Sequence, residues 1–459
     1  MTELFLTQLS KIIARSQIIT DIAQQSSYIQ DWRGRYNATA LAVVLPHNVT
    51  ELSAIVKLAN QYNIGVIPQG GNTGTCGGSV VNAQLDRKQV IVNLTKLKKY
   101  YQVDTINQSI NVSANHTLQE VQDIADAHNL YFPLSIASGA TATVGGAIAT
   151  NAGGIHVIRY GMMRNLTLGI ALITSDGGYM NLLDKPIKNN TGFDLKQIYI
   201  GSEGSLGIVT EAKLRLYQPE NNVISMVVTA NSIEELLRLK EQLSAITTII
   251  AYELIGNTAL SIWRKFCTSS LVLDNSSWYG FIKLAINSPQ DLEDIANLDN
   301  ISDNTIIAED STQQAQIWQI REEIPLAEKQ YGITAKHDIS VDLACMTEFI
   351  QQSQQKIQAE FPDSYICLFG HLGDGNLHYN VGFTHNSKVQ ILEHESHINQ
   401  MVYTLIKHYN GSIAAEHGIG QLKVHDFARY FSQEYQQQQL IKQALDPHNI
   451  LNPGKVVEI

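Results

Sequence analysis

The sequence predicts a two-domain chain of mixed α and β structure, and three observations lead there. At 459 residues it is too long for one ordinary core. Short β-rich runs alternate with helical patterns through the first half, an order that means an α/β or α+β unit. After the polar, turn-rich Gln218-Pro-Glu-Asn-Asn222 the pattern shifts to longer helices, so the boundary is placed at 218/219.

Taken in order, Leu41–Leu45 and Gly65–Ile67 read as strands. Between them Thr50–Asn63 carries Leu52, Ile55, Val56 and Ala59 at helical spacing. Val90–Leu94 and Ile110–Val112 are further strands, and Leu118–His128 is a helix. Glycine-dense blocks run from Ser138 to Gly169 and from Gly201 to Gly207. Past the boundary, Val223–Thr229 reads as a strand and Ser232-Ile-Glu-Glu235 as a capping-box helix start. Ser277–Asn287 is another strand. Long helices follow at roughly 311–330, 388–410 and 433–445. No internal repeat is present.

Composition narrows the class. Apolar residues make up 44% and charged ones 16%, as in a folded, soluble protein. Thirty-two basic against 43 acidic residues give a net charge of −11, which argues against nucleic-acid or anionic-membrane partners. Cys76, Cys267, Cys345 and Cys367 have no paired spacing, which suits a reducing, cytoplasmic compartment. There is no signal pattern at the N-terminus and no run approaching a membrane span.

Two patches carry metal-site chemistry. Phe369-Gly-His-Leu-Gly-Asp-Gly-Asn-Leu-His-Tyr-Asn380 is followed, 38 residues after His378, by Glu416 in Ala415-Glu-His-Gly-Ile-Gly420. His371, His378 and Glu416 form a nitrogen and carboxylate set suited to zinc or a similar borderline ion. Three protein ligands leave a coordination position open for a substrate oxygen or water. His417, beside them, is a candidate proton acceptor. The plain alternative for one such patch is that glycine-flanked histidines cap turns; two patches together favour ligands.

Three glycine loops suggest a large flat ligand. Pro68-Gln-Gly-Gly-Asn-Thr-Gly74 follows directly on a strand, where small residues let backbone N–H groups approach an anion such as pyrophosphate. Neither GxGxxG nor a Walker loop is present. Ala142–Gly154 has almost no side-chain bulk, and we read it as a surface loop pressed against an extended ligand. Ile200-Gly-Ser-Glu-Gly-Ser-Leu-Gly207 ends in a strand.

The blocks PQGGNTG, GGAIATNAGG, RYG and IGSEGSLGIVTE resemble the FAD domain of the vanillyl-alcohol oxidase/p-cresol methylhydroxylase (PCMH) superfamily. GHLGDGNLH, AEHGIG and Asp446-Pro-His-Asn-Ile-Leu-Asn-Pro-Gly-Lys455 resemble the FAD-linked oxidase C-terminal domain. Together they resemble the D-2-hydroxy-acid dehydrogenases, a family that includes D-2-hydroxyglutarate dehydrogenase, D-lactate dehydrogenase and the glycolate oxidase flavin subunit. Asn190–Lys196 and IGSEGSLGI are most similar to the hydroxyglutarate members. The likeness spans about residues 35 to 457.

The resemblance implies an α+β fold: a two-part PCMH-type FAD-binding domain (1–218) and an α+β substrate (cap) domain (219–459) with an antiparallel sheet. Residues 440–459 would return to the flavin. It implies that Pro68, Gly70, Gly71, Asn72, Thr73 and Gly74 cradle the FAD pyrophosphate. Pro133, Gly139, Thr143, Gly145, Gly146, Thr150 and Gly154 would line the flavin and ribityl chain. Glu203 and Ile208 would meet the adenosine end, and Asn452 the isoalloxazine. Some relatives tether FAD through a histidine where this chain has Asn72, so non-covalent FAD is expected.

The resemblance also makes His371, His378 and Glu416 the ligands of a divalent metal, zinc first. It places Arg321, Lys336, Asn380 and His417 around the substrate. A lone Arg or Lys is ordinarily a solvated surface group, so the roles of Arg321 and Lys336 rest on the resemblance. Asn380 would share a side with His378 if Leu377–Val381 is a strand. The hydroxyglutarate-type pattern has a threonine four residues after the arginine; here Pro325 supplies neither a side-chain donor nor an N–H. That leaves D-2-hydroxyglutarate, D-lactate and D-malate as substrates to separate.

The implied reaction oxidises a D-2-hydroxy acid to its 2-oxo acid. The metal would activate the hydroxyl, His417 would take its proton, and hydride would pass to flavin N5. The implied electron acceptor is an electron-transfer flavoprotein or a quinone. A cytoplasmic location or attachment at the inner-membrane surface fits, as does a homodimer. The rivals are an oxygen-using FAD oxidase and a non-catalytic FAD subunit of a glycolate-oxidase-like complex.

Overall fold

The computed structural model describes residues 2–183, 186, 188–269, 271–299, 301, 305–308, 310–385 and 387–459. Two compact units emerge. One comprises Met1–Gly153, Gly161–Pro219 and Glu416–Ile459; the other comprises Gly154–Tyr160 and Glu220–Ala415. The stretch returning to the first unit thus starts at Glu416, well before the expected 440, and a short piece, 154–160, leaves it. No described helix is long and apolar enough to cross a membrane.

The first unit contains two sheets. In the four-stranded sheet the order is Ile18–Ile19, Ala42–Val44, Gln89–Asn93, Gly65–Gln69. Its last three strands run parallel, and helix Val49–Tyr62 makes the crossover. That helix presents Leu52, Ile55, Val56 and Ala59 to a core shared with Phe5, Leu9, Val66 and Val92. Asn48 caps its start and Asn63, left-handed at φ 53°, ends it. The five-stranded sheet is antiparallel throughout, ordered Tyr101–Asp104, Ser109–Ser113, Ile208–Arg215, Thr167–Ile173, Tyr179–Asn181.

The block 142–154 is not a loop throughout, as the sequence had suggested. Val144–Thr150 is a helix, capped by Thr143, whose Oγ1 accepts from the Gly146 N–H at 3.3 Å. Its small residues serve packing. A Cβ on Gly145 would come within 2.9 Å of the Ala114 Cβ and 3.3 Å of its carbonyl oxygen. The cost of glycine in a helix, about 1 kcal/mol, is offset by that close approach to the strand end.

The second unit is built on a seven-stranded sheet, antiparallel at every pairing. Its order is Ile306–Ile307, Val223–Ala230, Trp278–Ala285, Thr248–Gly256, Ser364–His371, Asn376–Phe383, Thr334–Ser340. Helix Ser311–Tyr331 covers part of one face. Its Ile317, Ile320, Ile324 and Ala327 bury against Ile255, Phe281, Cys367 and Phe369. Pro325 lies inside this helix, so the Arg321 carbonyl lacks its usual i+4 amide donor.

Candidate functional site

Strand register gathers the chemistry of the second unit on one face. Glu253 stands opposite His371, and Phe369 opposite His378. Asp338 stands opposite His378, and Lys336 opposite Asn380. Residues two apart on a strand share a face. Glu253, His371, His378, Asp338, Asn380 and Lys336 therefore project from the same side of the sheet. Asn380 does share the side of His378, as expected.

The turn between the two histidine strands is set by backbone constraints. Gly375 has φ 87°, and a Cβ there would meet the Val341 carbonyl oxygen at 2.3 Å. Any other residue would be strained and would displace the strand that carries Asp338. The His371 and His378 rings sit 5.8 Å apart between centroids, and each offers a ligand nitrogen within 4.8 Å of the other's.

Two carboxylates of this unit have no solvent exposure at all. Glu253 takes His371 Nδ1 on Oε1 at 2.5 Å and Arg321 Nε on Oε2 at 2.7 Å. Burial opposes its ionisation, but His371 and Arg321 outweigh that and hold the carboxyl below its usual range. An ionised carboxylate only accepts, so His371 donates to it from Nδ1. Glu328 accepts from Lys336 Nζ at 2.6 Å, Thr334 Oγ1 at 2.7 Å and Asn380 Nδ2 at 3.1 Å. Arg321 is buried, not a surface arginine, with its guanidinium carbon 4.9 Å from the Phe369 ring centre. Asp338, 3% exposed, accepts from Asn376 Nδ2 at 3.0 Å and lies 3.8 Å from His378 Nδ1.

Glu416 and His417 open the returning segment of the first unit and are half-buried, their own ligand atoms within 4.8 Å of each other. Glu416 is bonded directly to Ala415, whose N–H donates to the Asp338 carbonyl at 3.3 Å inside the second unit.

In the first unit Pro68 lies in strand Gly65–Gln69, and Gly70 to Gly74 continue directly from its end. Gly71 passes so close to the Thr141 carbonyl that a Cβ would come within 2.0 Å. At Gly74 nothing lies within 4 Å of that position. Asn72 is left-handed at φ 54°; its amide donates to the Gln30 carbonyl at 2.9 Å and accepts from Ser79 Oγ at 2.8 Å. Thr143, Gly145, Gly146 and Thr150 lie on the capped helix, and Pro133 is buried ahead of it. The Gly139 carbonyl accepts from the Gln119 N–H at 3.1 Å. Gly154 falls in the second unit.

Glu203, also left-handed at φ 53°, accepts from the Ile419 and Gly420 N–H groups at 2.7 and 2.9 Å. Burial pushes its carboxyl up, against the pull of those two donors. Ile208 is a core residue, 1% exposed. Asn452 is buried too. Its Nδ2 donates to the Gly78 and Glu203 carbonyls at 2.8 and 2.7 Å, and its Oδ1 accepts from Lys455 Nζ at 3.2 Å.

A family described as FAD linked oxidases, C-terminal domain, matches residues 219–456, and an FAD binding domain matches 40–182. The chain belongs to the FAD-linked oxidases. A D-2-hydroxyglutarate dehydrogenase of Xanthomonas citri pv. viticola is 32% identical over all of this chain and 98% of its own. A D-2-hydroxyglutarate–pyruvate transhydrogenase of Saccharomyces cerevisiae is 29% identical, covering 97% of this chain and 92% of its own. Among solved structures, p-cresol methylhydroxylase with substrate bound superposes with TM-score 0.76 at 15% identity. It covers 99% of this chain and 97% of its own, which establishes the PCMH-like α+β fold.

FAD carries a pyrophosphate, which successive backbone N–H groups can cradle. The first glycine loop has a shape that fits such a group: it leaves the carboxyl end of a parallel strand, turns through left-handed Asn72 and is open at Gly74. The donor chemistry for a metal also fits, because His371 already has Nδ1 bound to a carboxylate, as metal-ligating histidines do. Glu253 and Glu328 were missed in the sequence. The signals were there: a single acid inside the apolar run Ile249–Ile255, and an acid on the 317, 320, 324 stripe of a helix.

Proposed function

We propose that this FAD-linked oxidase oxidises a D-2-hydroxy acid to the 2-oxo acid at a zinc-type centre held by His371, His378 and Glu416. The observation that carries the reading is the His371–Glu253 pair: a histidine whose Nδ1 is bound to a buried carboxylate, as in metal-ligating histidines, stands beside His378 with ligand atoms within 4.8 Å. Glu416 follows the strand-bonded Ala415 by one residue, which supports it as third ligand. The names of the relatives support the acid as substrate.

When bound, FAD supplies the two-electron acceptor and a divalent metal supplies Lewis acidity at the hydroxyl oxygen. The protein's part is binding, orientation and proton transfer. Arg321 has its Nε on Glu253, which leaves the two terminal nitrogens of the guanidinium for a carboxylate. Lys336 and Asn380, both anchored on Glu328, flank the same face of the sheet and would hold the substrate's other polar end. His417 would take the hydroxyl proton as a neutral imidazole. The residues of the first glycine loop, of the capped helix and of Asn452 would contact FAD, non-covalently because Asn72 offers no linkage. Electrons would pass to an electron-transfer flavoprotein or quinone. A second reading, favoured by the transhydrogenase relative, is reoxidation by a 2-oxo acid.

The test is anaerobic bleaching of the bound flavin by D- and L-lactate, malate and 2-hydroxyglutarate, with and without a chelator. One D-acid should bleach it, and the chelator should abolish the bleaching. Bleaching that survives complete metal removal would discard the metal role. Reoxidation by pyruvate would select the second reading for the acceptor.

A further inference from the structure

We propose that Glu253 is a positioning residue that joins the two halves of substrate capture, fixing the metal ligand His371 and the guanidinium of Arg321 with one carboxylate. The proposal rests on the metal reading above. Each oxygen of Glu253 has one partner: Oε1 has His371 Nδ1 at 2.5 Å, and Oε2 has Arg321 Nε at 2.7 Å. The three groups come from separate elements. Glu253 lies on strand Thr248–Gly256, His371 ends strand Ser364–His371, and Arg321 is in helix Ser311–Tyr331. Strand register places Glu253 directly across from His371, so the sheet itself sets the short contact.

The pairing makes demands that only an ionised carboxylate meets. Glu253 has 0% exposure, so water cannot substitute for either donor. A glutamine there would offer one acceptor oxygen and one donor nitrogen, and could not accept from both partners. It would release either the His371 ring or the Arg321 fork. Arg321 is otherwise braced by the face of Phe369, which also lies against the His378 ring at 5.0 Å between centroids. His371, Glu253, Arg321, Phe369 and His378 thus close a ring of contacts in which ring orientation at the metal and guanidinium orientation at the substrate are set together. Substrate held by Arg321 should therefore tighten metal binding, and metal should lower the substrate's dissociation constant, by the same factor.

The experiment uses the full-length FAD-loaded protein, stripped of metal and titrated with zinc against a chromophoric chelator. Glu253→Gln should weaken zinc by about 10- to 100-fold, and should raise the substrate KM more than it lowers kcat at saturating zinc. His371→Ala should remove most zinc affinity, and adding Glu253→Gln to it should cost nothing further. Unchanged zinc affinity in Glu253→Gln overturns the proposal. So does equal weakening in both backgrounds, which marks a general structural role. Full zinc affinity in His371→Ala overturns the metal reading itself and the proposal with it. Where Glu253→Gln does not fold, nitrogen NMR of ¹⁵N-histidine wild type decides: zinc-loaded His371 should carry its proton on Nδ1. Metal on Nδ1 would overturn the assignment.

Discussion

Both units bury charge, but they use it differently. In the first, Lys442 is 1% exposed and donates to the Ser205 and Leu451 carbonyls at 2.8 and 2.7 Å and to Asp446 at 2.5 Å. Asp446 in turn accepts from the Ile450 and Leu451 N–H groups. Lys455, fully buried, donates to the Val80 carbonyl at 2.8 Å. These charges satisfy backbone groups and pin chain segments together. In the second unit Glu253 and Glu328 bond side chains instead, and those side chains are the ones expected around metal and substrate. A buried charge tied to backbone reads as a fastener. A buried charge tied to other polar side chains reads as part of a site.

Four measurements can break or sharpen that contrast. Lys442→Met should cost the most stability, about 3–5 kcal/mol, because it leaves Asp446 buried without its cation. Denaturant unfolding followed by flavin release should show it, with kcat/KM per bound flavin unchanged; a selective loss of activity would collapse the distinction. Glu328→Gln should do the reverse. Freed of its ionic anchor, Lys336 can reach solvent, so stability should fall less while KM rises roughly 10- to 100-fold, the worth of one charge-assisted bond.

The third measurement concerns pH. Burial lowers the Lys455 ammonium from 10.5 to about 7, partly countered by Glu203. Between those values the unfolded chain binds a proton that the folded one does not, so stability rises with pH from about 7 towards 10. The rise should be smaller in Lys455→Met, measured by denaturant midpoints at pH 7 and 9. An identical slope in both proteins would show that Lys455 stays charged in the fold. The smallest effect is expected at Thr117, whose Oγ1 caps helix Leu118–Asp126 while Glu120 reaches back to the Thr117 N–H. Thr117→Ala should cost about 1 kcal/mol and leave both zinc affinity and KM alone.

Periodicity made the long helices and most strands legible, because Leu52, Ile55, Val56 and Ala59, or Ile317, Ile320 and Ile324, repeat at spacings that only a helix puts on one face. The candidate metal histidines were legible because histidines amid glycines and polar residues have few other uses. Helix Val144–Thr150 was not. Two glycines and small side chains read as a ligand-facing loop, and only the approach of Ala114 explains why a helix needs them. The burial of Arg321 was equally hidden. An arginine looks solvated until Glu253, 68 residues away, is known to face it. Pairings across such distances are set by sheet register, and the local pattern does not contain it.

The returning segment has a consequence for how the protein is made. Strand Gly65–Gln69, at one edge of its sheet, receives the Ile450 carbonyl at its Val66 N–H and gives its Val66 carbonyl to the Asn452 N–H, both at 2.7 Å. Arg87 reaches the His448 carbonyl at 3.0 Å. An early strand therefore keeps a bare edge until nearly four hundred further residues have left the ribosome. The second unit, whose 220–415 stretch is synthesised without interruption, can form its seven-stranded sheet during that wait. Birth order and completion order are thus inverted: the unit begun first is finished last, and a ribosome stalled late in translation would strand the first unit with that edge exposed.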